Sequence, residues 1–196
     1  LAPAALVGAA LVGTTLGAAP AAAQRAVAPD HADLDLLLRR HVVNGMVDYD
    51  AFARAPELPR YLAALAATDP GALPRDEQLA LWINAYNAYT IRLINKHRER
   101  RSIRNVNKTL GEIEQEIIRP RFREPRIHFA LVCAAMGCPP LRSEAYVASR
   151  LDAQLDDQAR EFLLRSPTKN RVDVAARTAH LSPVLVEFRD YIDDFG

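Results

Sequence analysis

The chain is 196 residues long, 49% hydrophobic and 25% charged, with 25 Lys+Arg against 24 Asp+Glu. That balance suits one ordinary globular domain and excludes a disordered polymer, a fibre and a disulfide-dense mini-protein. A net charge of +1 gives no reason to expect a dedicated nucleic-acid binder.

Residues 1–23, LAPAALVGAALVGTTLGAAPAAA, carry no charge and end in the small residues Ala21-Ala22-Ala23, followed by the polar Gln24-Arg25. They read as the apolar and cleavage regions of a secretory signal peptide. Gly8, Gly13, Gly17, Pro3 and Pro20 make the same stretch a poor spanning helix. No basic region precedes it, so residues are expected upstream of Leu1. No second stretch approaches the ~20 apolar residues of a membrane span. The mature protein is therefore expected in an exported compartment, periplasmic or secreted, with no stable span after signal cleavage. Residues 24–32 read as a linker and 33–196 as a single globular domain.

Asp33 to Val43 carries Leu34, Leu37, Leu38 and Val42 at helical spacing. Asn44-Gly45 stops that helix or makes a turn, and Met46 to Tyr49 looks extended. Leu58 to Ala67 reads as a short helix ended by Thr68-Asp69-Pro70-Gly71. Asp76 should cap a long helix to about Lys96, whose stripe is Leu79, Ile83, Tyr86, Thr90 and Leu93. Residues 97–108 look loop-like, and a short helix from Thr109 should stop at Pro120. Arg126 to Cys133, RIHFALVC, is the clearest strand, with Ile127, Phe129, Leu131 and Cys133 on one face. Ser149-Arg150-Leu151-Asp152 reads as a capping box that opens a helix to about Arg165, with Leu151, Leu155, Phe162 and Leu163 facing inward. Arg171 to Ala175 and Thr178 to Leu181 read as two short strands, and Ser182-Pro183 begins a final helical piece. The expected fold is a helix-rich α+β domain with a small sheet, its core the 76–96 helix against the RIHFALVC segment.

Charge is uneven along the chain. Residues 92–126 hold 11 Lys/Arg against 5 Asp/Glu. Residues 24–91 (6 against 9) and 144–196 (7 against 10) are acidic. Either the basic middle pairs with the acidic flanks, or it meets an anionic polymer, a lipid headgroup or an acidic peptide. No nucleic acid is expected as a partner of an exported protein.

The familiar nucleotide, hydrolase, zinc-protease and CxxC motifs are absent. The five histidines are dispersed; only His31 with Asp33 and Asp35 offers even a sparse ligand set, so no metal and no cofactor is assigned. Two segments stand out. In LWINAYNAYT, Asn84 and Asn87 lie three apart on one helix face among Trp82 and Tyr86. Asparagine is a weak helix former, and a buried amide needs partners for a carbonyl and two N–H groups. They either lock the helix to adjacent backbone or wall a pocket. In RIHFALVCAAMGCPPL, Cys133 and Cys138 are the only cysteines. They could form a local disulfide, hold a reactive thiol, or be two inert buried thiols. As a strand, the segment would put Cys133 about 16 Å from His128 and on the opposite face. Cys138, ahead of Pro139 at the start of a helical turn, would have a lowered thiol pKa and be the better partner for His128. Cys133, on the apolar face, would be inert.

LWINAYNAYTIRLI, IEQEIIRP and RIHFALVCAAMGCPPLRSEAY together resemble the domain of unknown function 547 family. The resemblance runs from about Leu36, through VVNGMVDYDAF, to Asp194-Phe195. It implies a family of exported bacterial proteins and plant proteins without an established activity. It marks Trp82, Asn84, Tyr86, Asn87, Glu114, Arg119, His128, Cys133, Cys138 and Pro139 as motif positions. Family members often carry His after the glutamate, where this chain has Gln115, so no Glu–His site is carried over. Further C-terminal structure is also expected beyond Gly196.

Two function classes follow. One is a thiol-dependent hydrolase or acyl-transferase with Cys138 or Cys133 as nucleophile, His128 as base, and Asn84, Asn87 or Glu114 as orienting group. The other is a non-catalytic ligand-binding or scaffolding module of the cell envelope with a structural cysteine pair. Its ligand would be a small molecule or an anionic polymer. A free thiol close to His128 separates the first class from the second.

Overall fold

The computed structural model describes residues 28–97, 107–186, 191 and 193–195. The expected signal 1–23, the first part of the linker and residues 98–106 of the basic middle lie outside the described residues. The fold is helix-rich α+β with two separate two-stranded antiparallel ribbons.

Helix α1 (Ala32–His41) buries Leu34, Leu37 and Leu38, as its spacing predicts. A hairpin follows, β1 (Val42–Val43) with β2 (Met46–Val47), in the register Val42↔Val47. Its two turn residues have left-handed backbones, Asn44 at φ 51° and Gly45 at φ 75°. Asn-Gly is the pair that suits such a hairpin turn. A Cβ on Gly45 would sit 2.5 Å from the Pro140 Cβ, so this glycine also lets the hairpin tip approach the 133–140 loop. Helix α2 (Tyr49–Arg54) begins with the Asp48 carboxylate accepting the Ala51 N–H at 2.9 Å. Helix α3 (Glu57–Ala66) buries Leu58, Tyr61, Leu62 and Leu65.

The centre is α4 (Arg75–His97), which starts one residue before Asp76; Asp76 lies in its first turn. One side, with Leu81, Ala85, Ala88 and Ile91, packs into a core shared with α1, α2 and α3. The other side, with Leu79, Ile83 and Tyr86, packs against Ile113, Ile118, Ile127, Tyr146 and Leu155. The sequence stripe marks only the second side. A helix covered on both sides shows little amphipathic contrast, which is why the first side did not announce itself.

Beyond residue 106 the chain departs from several expectations. Helix α5 (Asn107–Glu112) runs into a π-helical stretch, Ile113–Ile118, and then into α6 (Arg119–Phe122). Pro120 therefore does not stop the helix: it sits in the first turn of α6, where a missing N–H is tolerated. Arg123, at φ 48°, ends it instead.

The RIHFALVC segment is not a strand. Ile127–Ala130 is helix α7, and the chain turns extended at Leu131. Glu124-Pro125 starts that turn: the Glu124 carboxylate accepts the Arg126 N–H at 3.0 Å and the Pro125 carbonyl accepts His128 N–H at 3.2 Å. No described strand lies alongside to complete a ladder, so local helical bonds satisfy the backbone instead. The expected contact with the central helix does form, through Ile127, Ala130 and Leu131.

Helix α8 (Leu151–Leu164) follows a 3-10 turn, Ala148–Arg150, and no side chain caps it. Ser149 lies inside that turn, so the expected capping box does not form. Gln154 reaches back instead, accepting the Val147 N–H at 2.9 Å and donating to the Ala145 carbonyl at 2.9 Å. Leu151, Leu155 and Phe162 are buried as expected, but Leu163 is 37% exposed. The exposed ribbon β3 (Arg171–Asp173) with β4 (Thr178–His180) and helix α9 (Pro183–Val186) follow the expected order.

Candidate functional site

The two asparagines of α4 act on backbone. Asn84 Nδ2 donates to the Tyr146 carbonyl at 2.7 Å, and its Oδ1 accepts the Tyr146 N–H at 2.9 Å. Asn87 repeats the pattern one turn on, donating to the Ala130 carbonyl at 3.0 Å and accepting the Val132 N–H at 3.1 Å. Both residues are buried. Each amide imitates a strand partner for a passing segment that has none, which offsets the cost of burying those peptide groups. Asn87 also lines a cleft described below.

His128, on α7, sits in an ionic cluster. Its Nε2 lies 2.7 Å from Asp194 Oδ2, and its Nδ1 lies 3.9 Å from Glu114 Oε1, beyond hydrogen-bonding range. Arg119 grips Asp194 with two bonds, Nε to Oδ2 at 2.7 Å and Nη2 to Oδ1 at 3.0 Å. That grip holds the Asp194 carboxyl below its ordinary range. An ionised Asp194 can only accept, so a neutral His128 carries its proton on Nε2 and leaves a lone pair on Nδ1. Burial pushes the His128 pKa down, against the opposing pull of Asp194 and Glu114. The Tyr191 ring stacks on the imidazole at 3.9 Å between centroids. The hydroxyls of Tyr86 and Tyr191 hydrogen-bond Glu114, and burial raises both phenol pKa values. Glu114 and Gln115 reach the cluster from the π-helical stretch, a local geometry often found at functional sites. A cavity of about 450 Å³ lies beside the cluster, lined by Gln115, Arg119, Arg123, Ile127 and Asp194. Tyr191 and Asp194 were missed as site residues by sequence reasoning. Their nearest signal was the end of the family resemblance at Asp194-Phe195.

The cysteines are bonded to each other: Cys133–Cys138 is a disulfide with Cα atoms 6.2 Å apart. Neither is therefore a free thiol. The burial expected of them is reversed. Cys133 is exposed, because the chain is extended and leaving the core there. Cys138 is 5% exposed and packs with Phe129, Phe162 and Val184. Residues 134–138 form bends and a turn, and Pro139 and Pro140 are irregular, so Cys138 does not cap a helix at Pro139. Among the described contacts, none joins His128 to either cysteine.

A larger cleft of about 830 Å³ opens beside this loop. One wall is the β1–β2 hairpin, with Asn44 to Val47; another is the loop, with Val132, Ala134, Ala135, Met136, Pro139 and Pro140. Asn87, Thr90 and Ile91 of α4 line it as well, and Arg142, Glu144, Asp157, Arg165 and Lys169 add charge. Those charges are matched within the fold. Arg142 bridges Glu144 at 2.6 Å and Asp157 at 2.8 Å, and Arg165 pairs with Asp157 at 2.6 Å. Burial would raise the Glu144 pKa, but hydrogen bonds from Arg142 and Gln154 bring it down to about 2. Lys169 Nζ donates to the Cys138 carbonyl, and burial lowers its pKa. In the basic middle, Arg119 pairs with Asp194, and Arg126 with Glu124, Asp152 and Asp156.

His31, Asp33 and Asp35 do not converge. His31 Nδ1 bonds the Tyr61 hydroxyl at 2.7 Å, Asp33 pairs with Arg60, and Asp35 pairs with Arg39. Among the described residues no group of three metal-ligating side chains comes together. No described helix is long and apolar enough to cross a membrane.

Comparison with known proteins agrees with the motif resemblance. No curated protein matches the chain, and no solved structure does. The family described as "Protein of unknown function, DUF547" matches residues 70–163. That span holds the central helix, both asparagines, Glu114, His128 and the disulfide. Residues 70–163 are thereby a DUF547 domain.

Proposed function

We propose that this domain is a non-catalytic ligand-binding module of an exported compartment, with the cleft between the β1–β2 hairpin and the disulfide-closed loop as its binding surface. The observation that carries the reading is the Cys133–Cys138 bond, which leaves no thiol for nucleophilic chemistry. Disulfides persist in oxidising compartments, which also supports export. The cleft's size suits a small molecule or a short stretch of polymer. Its arginines Arg142 and Arg165 are already paired with carboxylates, so a ligand with an apolar body fits better than a polyanion.

Thiol titration of the native protein, before and after reductant, tests this together with a fragment screen read through the methyl signals of Met46 and Met136. The expected result is no reactive thiol before reduction and saturable shifts at both methionines. A free thiol on the native protein, with hydrolysis of p-nitrophenyl acetate that disappears in His128→Ala, would overturn it. That outcome would favour the thiol-dependent hydrolase or acyl-transferase.

A further inference from the structure

Both ends of the disulfide loop are held without the disulfide. At its start, Asn87 Oδ1 accepts the Val132 N–H at 3.1 Å. At its end, Ser182 Oγ donates to the Gly137 carbonyl at 2.6 Å, Lys169 Nζ donates to the Cys138 carbonyl, and Gln158 Nε2 donates to the Pro140 carbonyl at 2.7 Å. Inside it, Cys138 N–H donates to the Ala135 carbonyl at 3.0 Å. The bond spans a sequence separation of only five residues, so it removes less loop entropy from the unfolded chain than a long-range bridge would. The two cysteines are also unequal. Cys133 is exposed, while Cys138 is buried against Phe129, Phe162 and Val184. A bond whose loop is also held by other contacts, with one accessible and one protected half, is suited to exchange.

The geometry points to a thiol–disulfide exchange site at Cys133–Cys138, whose substrate is a polypeptide dithiol. This rests on the cleft as the binding surface but goes beyond a non-catalytic module, because Val132 and Ala134, on either side of Cys133, line the cleft. A substrate thiolate attacks Cys133 Sγ; the Cys133–Cys138 bond breaks and its electron pair leaves on Cys138 as thiolate. Lys169 holds the Cys138 carbonyl and so keeps the backbone of the leaving half in place. The second substrate thiolate attacks the mixed disulfide at the substrate sulfur. A substrate disulfide forms and Cys133 leaves as thiolate. Two electrons pass from substrate to protein, which ends as the dithiol, so one round needs no further oxidant.

The test uses the oxidised full chain and a synthetic peptide with two cysteines among apolar residues. Binding is followed by fluorescence anisotropy, using a serine version of the peptide. Transfer is followed by acid quenching and mass spectrometry. The expected result is one peptide disulfide formed per protein disulfide lost, with the trapped mixed disulfide mapping to Cys133 in wild-type protein. Reduced Cys138→Ser, challenged with oxidised glutathione, should form its adduct at the exposed Cys133 several-fold faster than reduced Cys133→Ser forms one at the buried Cys138. A native bond that persists in reduced glutathione until the protein is unfolded in urea would overturn the inference, as would wild-type adducts that map to Cys138. Saturable peptide binding without transfer would overturn exchange and leave the cleft reading standing. Transfer without saturable binding would support exchange and remove the cleft reading.

Discussion

Two polar regions adjoin the central helix, one buried and one half-exposed, and they solve the same problem with opposite chemistry. The asparagines of α4 are neutral, and each spends both ends of its amide on one passing stretch of backbone. The His128 cluster is ionic and joins side chains from the π-helical stretch, α6, α7 and the segment around residues 191–195. The amide pairs hold their geometry at any pH at which the protein folds. The ionic cluster depends on which groups carry protons. Positioning and proton response are thus assigned to different residues.

The sharpest way to break this contrast is Asn84→Leu, which is nearly neutral in volume. It strands the N–H and carbonyl of Tyr146, a residue only 1% exposed. Each stranded group costs roughly 1–3 kcal/mol, so a loss of about 2–6 kcal/mol is expected in urea denaturation. An unchanged midpoint would show that Tyr146 finds other partners and that the amide is no clamp. Asn87→Leu strands Ala130 and Val132 in the same way, but Asn87 borders the cleft, where water can substitute. The expected loss is smaller, about 1–2 kcal/mol. Amide exchange of Val132 should quicken with it. A cost equal to that of Asn84→Leu would mean that the cleft side is dry.

The smallest effect is a pH dependence that should separate the two regions. Burial lowers the His31 pKa to about 4 and pushes that of His128 below its ordinary value. Below about pH 6.5 the unfolded chain takes protons that the folded one refuses. The contribution of these histidines is therefore full above that pH and shrinks as pH falls, for His31 down to about pH 4. Asp194 works in the same direction at lower pH, because its depressed pKa is lost as a source of stability when it is protonated. The stability gap between wild type and His128→Asn should accordingly narrow from pH 7 to pH 5, while the gap for Asn84→Leu stays constant. A His128 gap that widens at pH 5 would identify a cationic imidazole held by Asp194 and Glu114, and would reverse the assignment.

Much of this was legible in the residues. Helical spacing placed α1, α3, α4 and α8 to within a few residues, because each buries a stripe against a neighbour. The asparagines were conspicuous because two poor helix formers among aromatics need a reason. Other assignments failed where a local pattern has two physical solutions. Alternating apolar residues in RIHFALVC suit a strand, yet a strand needs a ladder partner, and no described strand supplies one. The helix with asparagine-held flanks satisfied the same groups.

The motif residues, the presence of just two cysteines five apart and the helix-rich class are properties of the sequence itself, since they follow from residue type and spacing. Tertiary structure alone decided which cysteine is buried and that Asp194 closes on Arg119 and His128 across more than sixty residues of chain. It also decided that the hairpin tip and the disulfide loop face each other across a cleft. These are contacts between segments distant in sequence. Their formation depends on how the covered helix packs on both sides, and no local spacing encodes that.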